Sequence, residues 1–161
     1  MWVVGVGYRD GQKDPLGENT KSEILGLGVP NIAGVKTLQT YVIEGDVAEK
    51  EVEKIGRDIL ADNVIQYFSF DRFGKEGEHI KKLTDKQNVW VVEVFFRPGV
   101  MDAVGLSVEK ALEVIGIQNA RSVRTGTTYV ISGNLNEEEL KMICEKCLAN
   151  GLIQNYIYHR V

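Results

Sequence analysis

The chain has 161 residues, of which 43% are apolar and 26% are charged, a composition typical of a globular protein with enough apolar material for a core. Its formal net charge is −4 at pH 7, which argues against nucleic acid and anionic membrane surfaces as partners, because both attract basic proteins. No apolar run reaches the length that a membrane-spanning helix needs.

The sequence contains two copies of one unit. A shift of 88 positions places Asp14 on Asp102 and the run TYVIEG at 40–45 on TYVISG at 128–133. About two dozen positions are identical under this shift without a gap, which is typical of a duplicated fold. We therefore predict two equivalent repeats, residues 1–70 and 89–161, joined by a charged linker at 71–88.

The first repeat reads as strand, helix, strand, helix and strand. Its apolar start, Met1–Gly7, is predicted to be a strand and not a leader peptide, because its copy lies in the middle of the chain. Asp14 is a candidate N-cap and Gly28 a helix stop. The last strand is predicted at 64–70, and a helical turn is predicted in the linker at 79–83.

The second repeat follows the same plan. A strand at Val89–Phe96 is broken by Arg97-Pro98-Gly99, and Asp102 is predicted to cap the next helix. A strand at 122–132 and a helix capped by Asn136 follow, and a final strand ends the chain. The pattern predicts an α+β fold in which two β-α-β-α-β units form a pseudo-two-fold pair, with sheets covered by helices.

Cys144 and Cys147 form a C-x-x-C pattern, which raises the possibility of a redox or metal site. A structural zinc needs four ligands, and no second cysteine pair exists. Both thiols lie on the apolar stripe of a predicted helix, so we expect them to be protected core residues in a reducing cytoplasm. Neither a P-loop nor a nucleophile elbow occurs, so we predict no metal, no cofactor and no catalytic site.

Charged residues recur in equivalent loops of the two repeats: Arg9 with Arg97, and Asp14 with Asp102. Two interpretations stay open at this point. The aspartates are helix caps and the arginines solvated charges, or these loops contact a protein partner. Tyrosines such as Tyr129 either anchor an interface or cover the sheet.

Several short motifs, in order, resemble the PurS-type small subunit of phosphoribosylformylglycinamidine (FGAM) synthase. They are Phe96-Arg97-Pro98-Gly99-Val100-Met101-Asp102-Ala103-Val104-Gly105, Ala111-Leu112-x-x-x-Gly116, Val123-Arg124-x-Gly126, Met142-x-Cys144-x-x-x-Leu148-Ala149-Asn150 and, in the first repeat, Asp14-Pro15-Leu16-Gly17. The resemblance covers both repeats and leaves out only the linker.

This resemblance implies a noncatalytic component of FGAM synthase, in which a dimeric PurS-type subunit bridges a synthetase and a glutaminase and assists ammonia passage. The chain would be a fused PurS pair, either free or as part of a larger synthase. ATP and Mg²⁺ would be used by the synthetase, and a homo-oligomer is possible. The residues that we expect to contact partners are Arg9, Asp14, Pro15, Gly17, Arg97, Pro98, Gly99, Asp102, Gly105, Arg124 and Gly126.

A rival hypothesis comes from a different class of protein. Duplicated α+β units of the ACT-like kind act as small-molecule sensors and bind ligands near a glycine turn after the first strand. The corresponding segments here are Arg9–Gly17 and Arg97–Gly105. A ligand-dependent thermal shift would distinguish a sensor from a synthase component.

Overall fold

The computed structural model describes residues 1–75, 80 and 88–161. Apart from Ile80, the helical turn predicted at 79–83 lies outside the described residues. In the described ranges, no helix combines the length and the apolar character that crossing a membrane requires.

Both repeats contain the same elements in the same order, so the predicted α+β class and the duplication are confirmed. The first repeat has β1 (Trp2–Tyr8), α1 (Pro15–Gly26), β2 (Ile32–Gly45), α2 (Glu49–Ile55) and β3 (Gln66–Arg72). The second has β4 (Val89–Phe96), α3 (Ala103–Val114), β5 (Ala120–Gly133), α4 (Glu137–Ile143) and β6 (Gln154–Arg160). The six strands are ordered β3-β1-β2-β5-β4-β6.

The predicted bounds of two strands were wrong at both ends. β3 runs from Gln66 to Arg72 where 64–70 was predicted, so it also takes in the first two residues of the predicted linker. β3 begins two residues later than predicted, because the backbone N–H groups of Ile65 and Gln66 both donate to Asp62 O and close a turn at that point. β5 extends beyond the predicted 122–132 at both ends, to Ala120 and Gly133.

The compact units of the structure are not the two sequence repeats. Unit 1 contains β1, α2 and β3 of the first repeat together with Met101–Gly126 of the second, a segment that includes α3. Unit 2 contains β4, α4 and β6 together with Lys13–Thr37 of the first repeat, which includes α1. The first helix of each repeat therefore belongs to the unit built mainly from the other repeat. The repeat boundaries predicted from the sequence stay a prediction.

Each unit has its own hydrophobic core between one sheet face and two helical segments. In unit 1 alternate residues of β1 pack with residues of α2 and α3; the set includes Trp2, Val4, Val6, Val52, Ile55, Val108 and Leu112. In unit 2 the equivalent set includes Trp90, Val92, Val94, Ile24, Leu140, Ile143 and Cys144. The buried indole N–H of Trp2 donates to Val47 O at 2.8 Å, so this polar group is satisfied inside the core.

The second helix of each repeat ends in a π-helical turn, where the sequence predicted a continuous α-helix. These turns span Gly56–Leu60 and Cys144–Leu148. Their closing hydrogen bonds run from Ala61 N to Gly56 O and from Ala149 N to Cys144 O, which is a five-residue spacing. The apolar stripe predicted for the second helix of the second repeat is confirmed at Cys144 and Leu148, which are both buried.

Candidate partner-binding site

In unit 1, the predicted interface residue Asp102 ties the start of α3 to strand β5. Its Oδ1 accepts hydrogen bonds from Gly105 N and from Thr125 Oγ1, each at 2.8 Å. Its Oδ2 accepts from Thr125 N at 2.6 Å. One carboxylate thus caps a helix and binds the neighbouring strand, which is the structural role that the sequence allowed.

In unit 2, Asp14 does the same for α1 and β2. It accepts from Gly17 N at 2.9 Å and from Thr37 N at 2.6 Å, and the Thr37 hydroxyl donates to the same carboxylate. Pro15 follows as the first residue of α1, a position where the missing N–H costs nothing because it would have no helical partner. The two anchors have the same geometry because the duplicated sequence supplies the same donors.

The glycines of this motif permit a close approach of helix and strand. A Cβ on Gly17 would lie 2.5 Å from Val35 O, and one on Gly105 would overlap Val123 O. Both residues are buried. Gly17 and Gly105 therefore allow α1 and α3 to pack closely against the neighbouring strands, next to the aspartates.

The other predicted interface residues lie nearer the surface. Arg97, Pro98 and Gly99 form an exposed turn, in which Gly99 has φ +84°. Arg9 is exposed and its Nε donates to Asn63 O at 3.1 Å. These residues are available to a partner, and their contact with one stays a prediction.

On β5, Arg124 is exposed and its guanidinium lies 3.4 Å from Glu44 Oε1 in an open ion pair. Gly126, on the same strand, is half-buried. Within the described residues, no hydrogen bond or ion pair links Arg9 to Asp102 in unit 1, or Arg97 to Asp14 in unit 2. Each aspartate is thus hydrogen-bonded to the glycine three residues after it, whereas Arg9 and Arg97 do not contact the aspartates in this way.

The tyrosines mainly cover the sheets. Tyr41 and Tyr129 are buried, and burial raises the pKa of both phenols, with nearby carboxylates as a smaller cause. Tyr158 donates to Glu137 Oε1 at 2.7 Å, which joins β6 to α4. The interpretation that these tyrosines cover the sheet is favoured over an interface role.

Four exposed apolar residues on and beside α3 were not predicted from the sequence. Met101, just before the helix, is 76% exposed, and Val104, Leu106 and Val114 on the helix are 52%, 47% and 86% exposed. At the equivalent positions, the first repeat has Lys13, Leu16, Glu18 and Gly26.

The two thiols do not resemble a redox pair. Both cysteines are free; Cys144 is buried and Cys147 half-buried. Burial raises the pKa of Cys144 to about 12, and burial together with Glu23 raises the pKa of Cys147. Among the described residues there is no cluster of three or more His, Cys, Asp or Glu side chains suited to a metal ion. A reactive thiolate is disfavoured in this environment.

We expect Cys144 to resist a thiol reagent at pH 8 in the folded protein and to react when the protein is unfolded. A pKa of about 12 lowers the thiolate fraction roughly a thousandfold relative to a thiol of pKa 9.0. The measurement is labelling followed by peptide mass spectrometry, with Val114→Cys as an exposed control that reacts at the free-thiol rate. Fast labelling of native Cys144 would restore the redox hypothesis.

The same anchors and element order in both repeats suggest that one family should describe each of them. The family model of PurS, phosphoribosylformylglycinamidine (FGAM) synthase, matches residues 2–73 and again residues 89–161. The chain belongs to the PurS family. Its tandem form is consistent with these two matches, and membership indicates a role in FGAM synthase, in purine biosynthesis.

Two PurS relatives each match about one repeat. The phosphoribosylformylglycinamidine synthase subunit PurS of Synechocystis sp. is 29% identical over 72 residues, which are 42% of this chain and 72% of the relative. The crystal structure of Methanocaldococcus jannaschii PurS, a subunit of formylglycinamide ribonucleotide amidotransferase, is 27% identical, with a TM-score of 0.42. That comparison covers 47% of this chain and 99% of the other.

Proposed function

We propose that this PurS chain is a noncatalytic component of FGAM synthase that joins the synthetase part to the glutaminase part and assists the passage of ammonia between them. The observation that carries the proposal is the family match to both repeats, residues 2–73 and 89–161. A covalently joined pair of PurS repeats supplies in one chain what two separate copies would otherwise supply by association.

The environments of Asp14, Asp102 and Cys144 support an accessory role. Asp14 and Asp102 use their carboxylates to hold helices α1 and α3 against strands, and Cys144 is kept protonated by burial. General base and nucleophilic chemistry needs groups that are free to reach a substrate. In this proposal, ATP and Mg²⁺ act in the synthetase partner, and glutamine is hydrolysed in the glutaminase partner.

Two exposed features of this chain are the proposed contacts with the synthase partners. One is the turn Arg97-Pro98-Gly99, with the exposed Arg9 and Arg124 as further polar contacts. The other is a set of exposed apolar residues on and beside α3, Met101, Val104, Leu106 and Val114. Methionine and arginine side chains are both enriched in protein interfaces.

The test is copurification of the chain with the synthetase and glutaminase, in the presence of glutamine and nucleotide. We expect the double variant Met101→Lys/Leu106→Glu, which gives α3 the residues that the first repeat has at Lys13 and Glu18, to weaken this association by at least about tenfold. The matched control is Leu25→Glu on α1, which is 45% exposed and should leave association unchanged. No association of the wild-type chain would contradict the proposal.

Ammonia transfer is tested by comparing two substrates of the reconstituted synthase. If the chain assists transfer, omitting it should lower FGAM formation from glutamine far more than FGAM formation from added ammonium. Equal losses would argue for a role in assembly only. A thermal shift of the isolated chain with amino acids or nucleotides, without any association, would instead favour the ACT-like sensor.

A further inference from the structure

The turn that precedes β6 contains the chain's one Asn-Gly sequence, Asn150-Gly151. Both residues are exposed. An asparagine followed by glycine is prone to react with itself, because the backbone nitrogen of the next residue can attack the side-chain carboxamide and glycine has no Cβ to hinder that approach. The turn therefore presents a reactive pair of groups on the surface of unit 2.

Hydrogen bonds hold the Asn150 carboxamide next to the backbone that follows it. Asn150 Oδ1 accepts from Leu152 N at 3.1 Å, which closes a ring that contains both Asn150 Cγ and Gly151 N. The same donor would stabilise the negative charge that develops on Oδ1 when a nucleophile attacks Cγ. The folded turn thus keeps the attacking atom and its target within one small ring.

The attacking N–H group is not used by the fold. Among the residues that the structure describes, Gly151 N donates no hydrogen bond. In the first repeat, Arg9 Nε donates to Asn63 O, whereas within the described ranges Arg97 makes no such bond to Gly151 O, the equivalent atom. The peptide groups on both sides of Gly151 are therefore less restrained than those of the matching turn in the first repeat.

The first repeat already contains the product of such a reaction. It has Asp62 where the second repeat has Asn150. Asp62 Oδ1 accepts from Val64 N at 3.0 Å, and Asp62 O accepts from Ile65 N and Gln66 N. These are the bonds that Asn150 forms in its own turn, so an aspartate at position 150 can build the same turn.

We propose that Asn150-Gly151 is a spontaneous deamidation site of the folded protein. Gly151 N attacks Asn150 Cγ and loses its proton, the Cγ–Nδ2 bond breaks, and the NH₂ group takes up a proton and leaves as ammonia. Water then opens the cyclic imide at either carbonyl, which gives aspartate or isoaspartate at position 150. The net reaction consumes water, releases ammonia and adds one negative charge to a chain whose formal net charge is −4.

The test incubates the folded chain for several weeks at neutral pH, in water that carries a heavy oxygen isotope. Peptide mass spectrometry then detects heavy oxygen at position 150, which separates conversion during the incubation from conversion during expression. We expect Asn150 to convert at least about tenfold faster than Asn63, which is also exposed but is followed by the β-branched Val64. Equal conversion of the two asparagines would contradict the role assigned to Gly151.

Gly151→Ala is the matched variant for the attacking residue. An added Cβ would meet nothing within 4 Å, so this variant should fold as the wild-type chain does. It should slow the conversion of Asn150 by at least about tenfold, because the methyl group hinders the approach of the backbone nitrogen. Asn150→Asp, the product with a normal backbone, should unfold at the same urea concentration as wild type. A large loss of stability in Asn150→Asp would show that the fold opposes the product.

Two further results would overturn the proposal. One is an Asn150 that stays intact in the folded chain but converts in the same chain unfolded in urea, since the fold would then protect it. The other is a Gly151→Ala chain that converts as fast as wild type. Neither result depends on copurification with synthetase and glutaminase, so this inference and the proposed function fail separately.

Discussion

Replacing Gly133 with alanine is expected to destabilise unit 2 by about 4 kcal/mol, the largest effect that we predict for a single methyl group. Gly133 ends β5 with φ +145°, a conformation that residues with a side chain rarely adopt. An added Cβ would also overlap Asn31 O and lie 2.9 Å from Ile32 Cα. Backbone cannot move aside as a flexible side chain can, so strain and overlap add. Thermal or urea denaturation measures the loss.

The matched control for this prediction is Gly116→Ala, after α3. Gly116 has φ +85°, yet an added Cβ would meet nothing within 4 Å. Only the cost of the left-handed conformation applies, which is about 1–2 kcal/mol. The equivalent glycine of the first repeat allows the same test in unit 1. Gly45 has φ +133° and a Cβ there would overlap Asn119 O, so Gly45→Ala should lose a similar amount of stability. Similar losses at Gly116 and Gly133 would show that the close approach contributes nothing.

Asp102→Ala is expected to destabilise unit 1 by about 3 kcal/mol. The variant loses the cap of α3 and leaves the backbone N–H of Thr125, a buried residue, without its acceptor. Asp102→Asn should destabilise unit 1 less than Asp102→Ala, because the amide oxygen still accepts from Gly105 N. It should remain less stable than wild type, because its NH₂ group cannot accept the hydrogen bond from Thr125 N. Denaturation of both variants gives the order, and equal stability of wild type and Asp102→Ala would contradict the anchor.

The same variants separate an anchor from a partner contact. If Asp102 acts only inside unit 1, the folded fraction of Asp102→Asn should bind the synthase partners as well as the wild-type chain does. Any loss of association should then equal the loss of folded protein. Arg97→Ala is the matched surface change. It should alter stability by less than about 0.5 kcal/mol, yet weaken association if the exposed turn is the contact. A folded Asp102→Asn chain that no longer associates would assign the carboxylate to the interface.

Features encoded by neighbouring residues could be predicted from the sequence. The N-caps at Asp14, Asp102 and Asn136 were identified because a capping side chain and its backbone donor lie three residues apart. Strand Val89–Phe96 has the predicted bounds, because its β-branched and aromatic run ends at proline and glycine. For the candidate site, local reasoning identified the aspartates but left open whether they cap or bind.

Features that depend on distant residues could not be predicted. The second half of each aspartate anchor, Thr37 for Asp14 and Thr125 for Asp102, lies 23 residues along the chain. The exposure of the apolar residues on α3 became visible only when the packed side of the helix was known. The exposure of Ile157 on β6 likewise follows from strand order, since the period of two in a strand tells which residues share a face but not what covers it.

The amino-acid sequence by itself determined that this protein is duplicated, that each repeat has five elements in one order, and which residues begin its helices. These properties are periodic or local, so they are present in the order of the residues. Only the tertiary structure decided that α1 belongs to the unit of β4 and β6, and α3 to the unit of β1 and β3. The apolar face of a helix indicates that the helix must be buried, but two similar repeats offer nearly equivalent surfaces for it. Only packing selects between these surfaces.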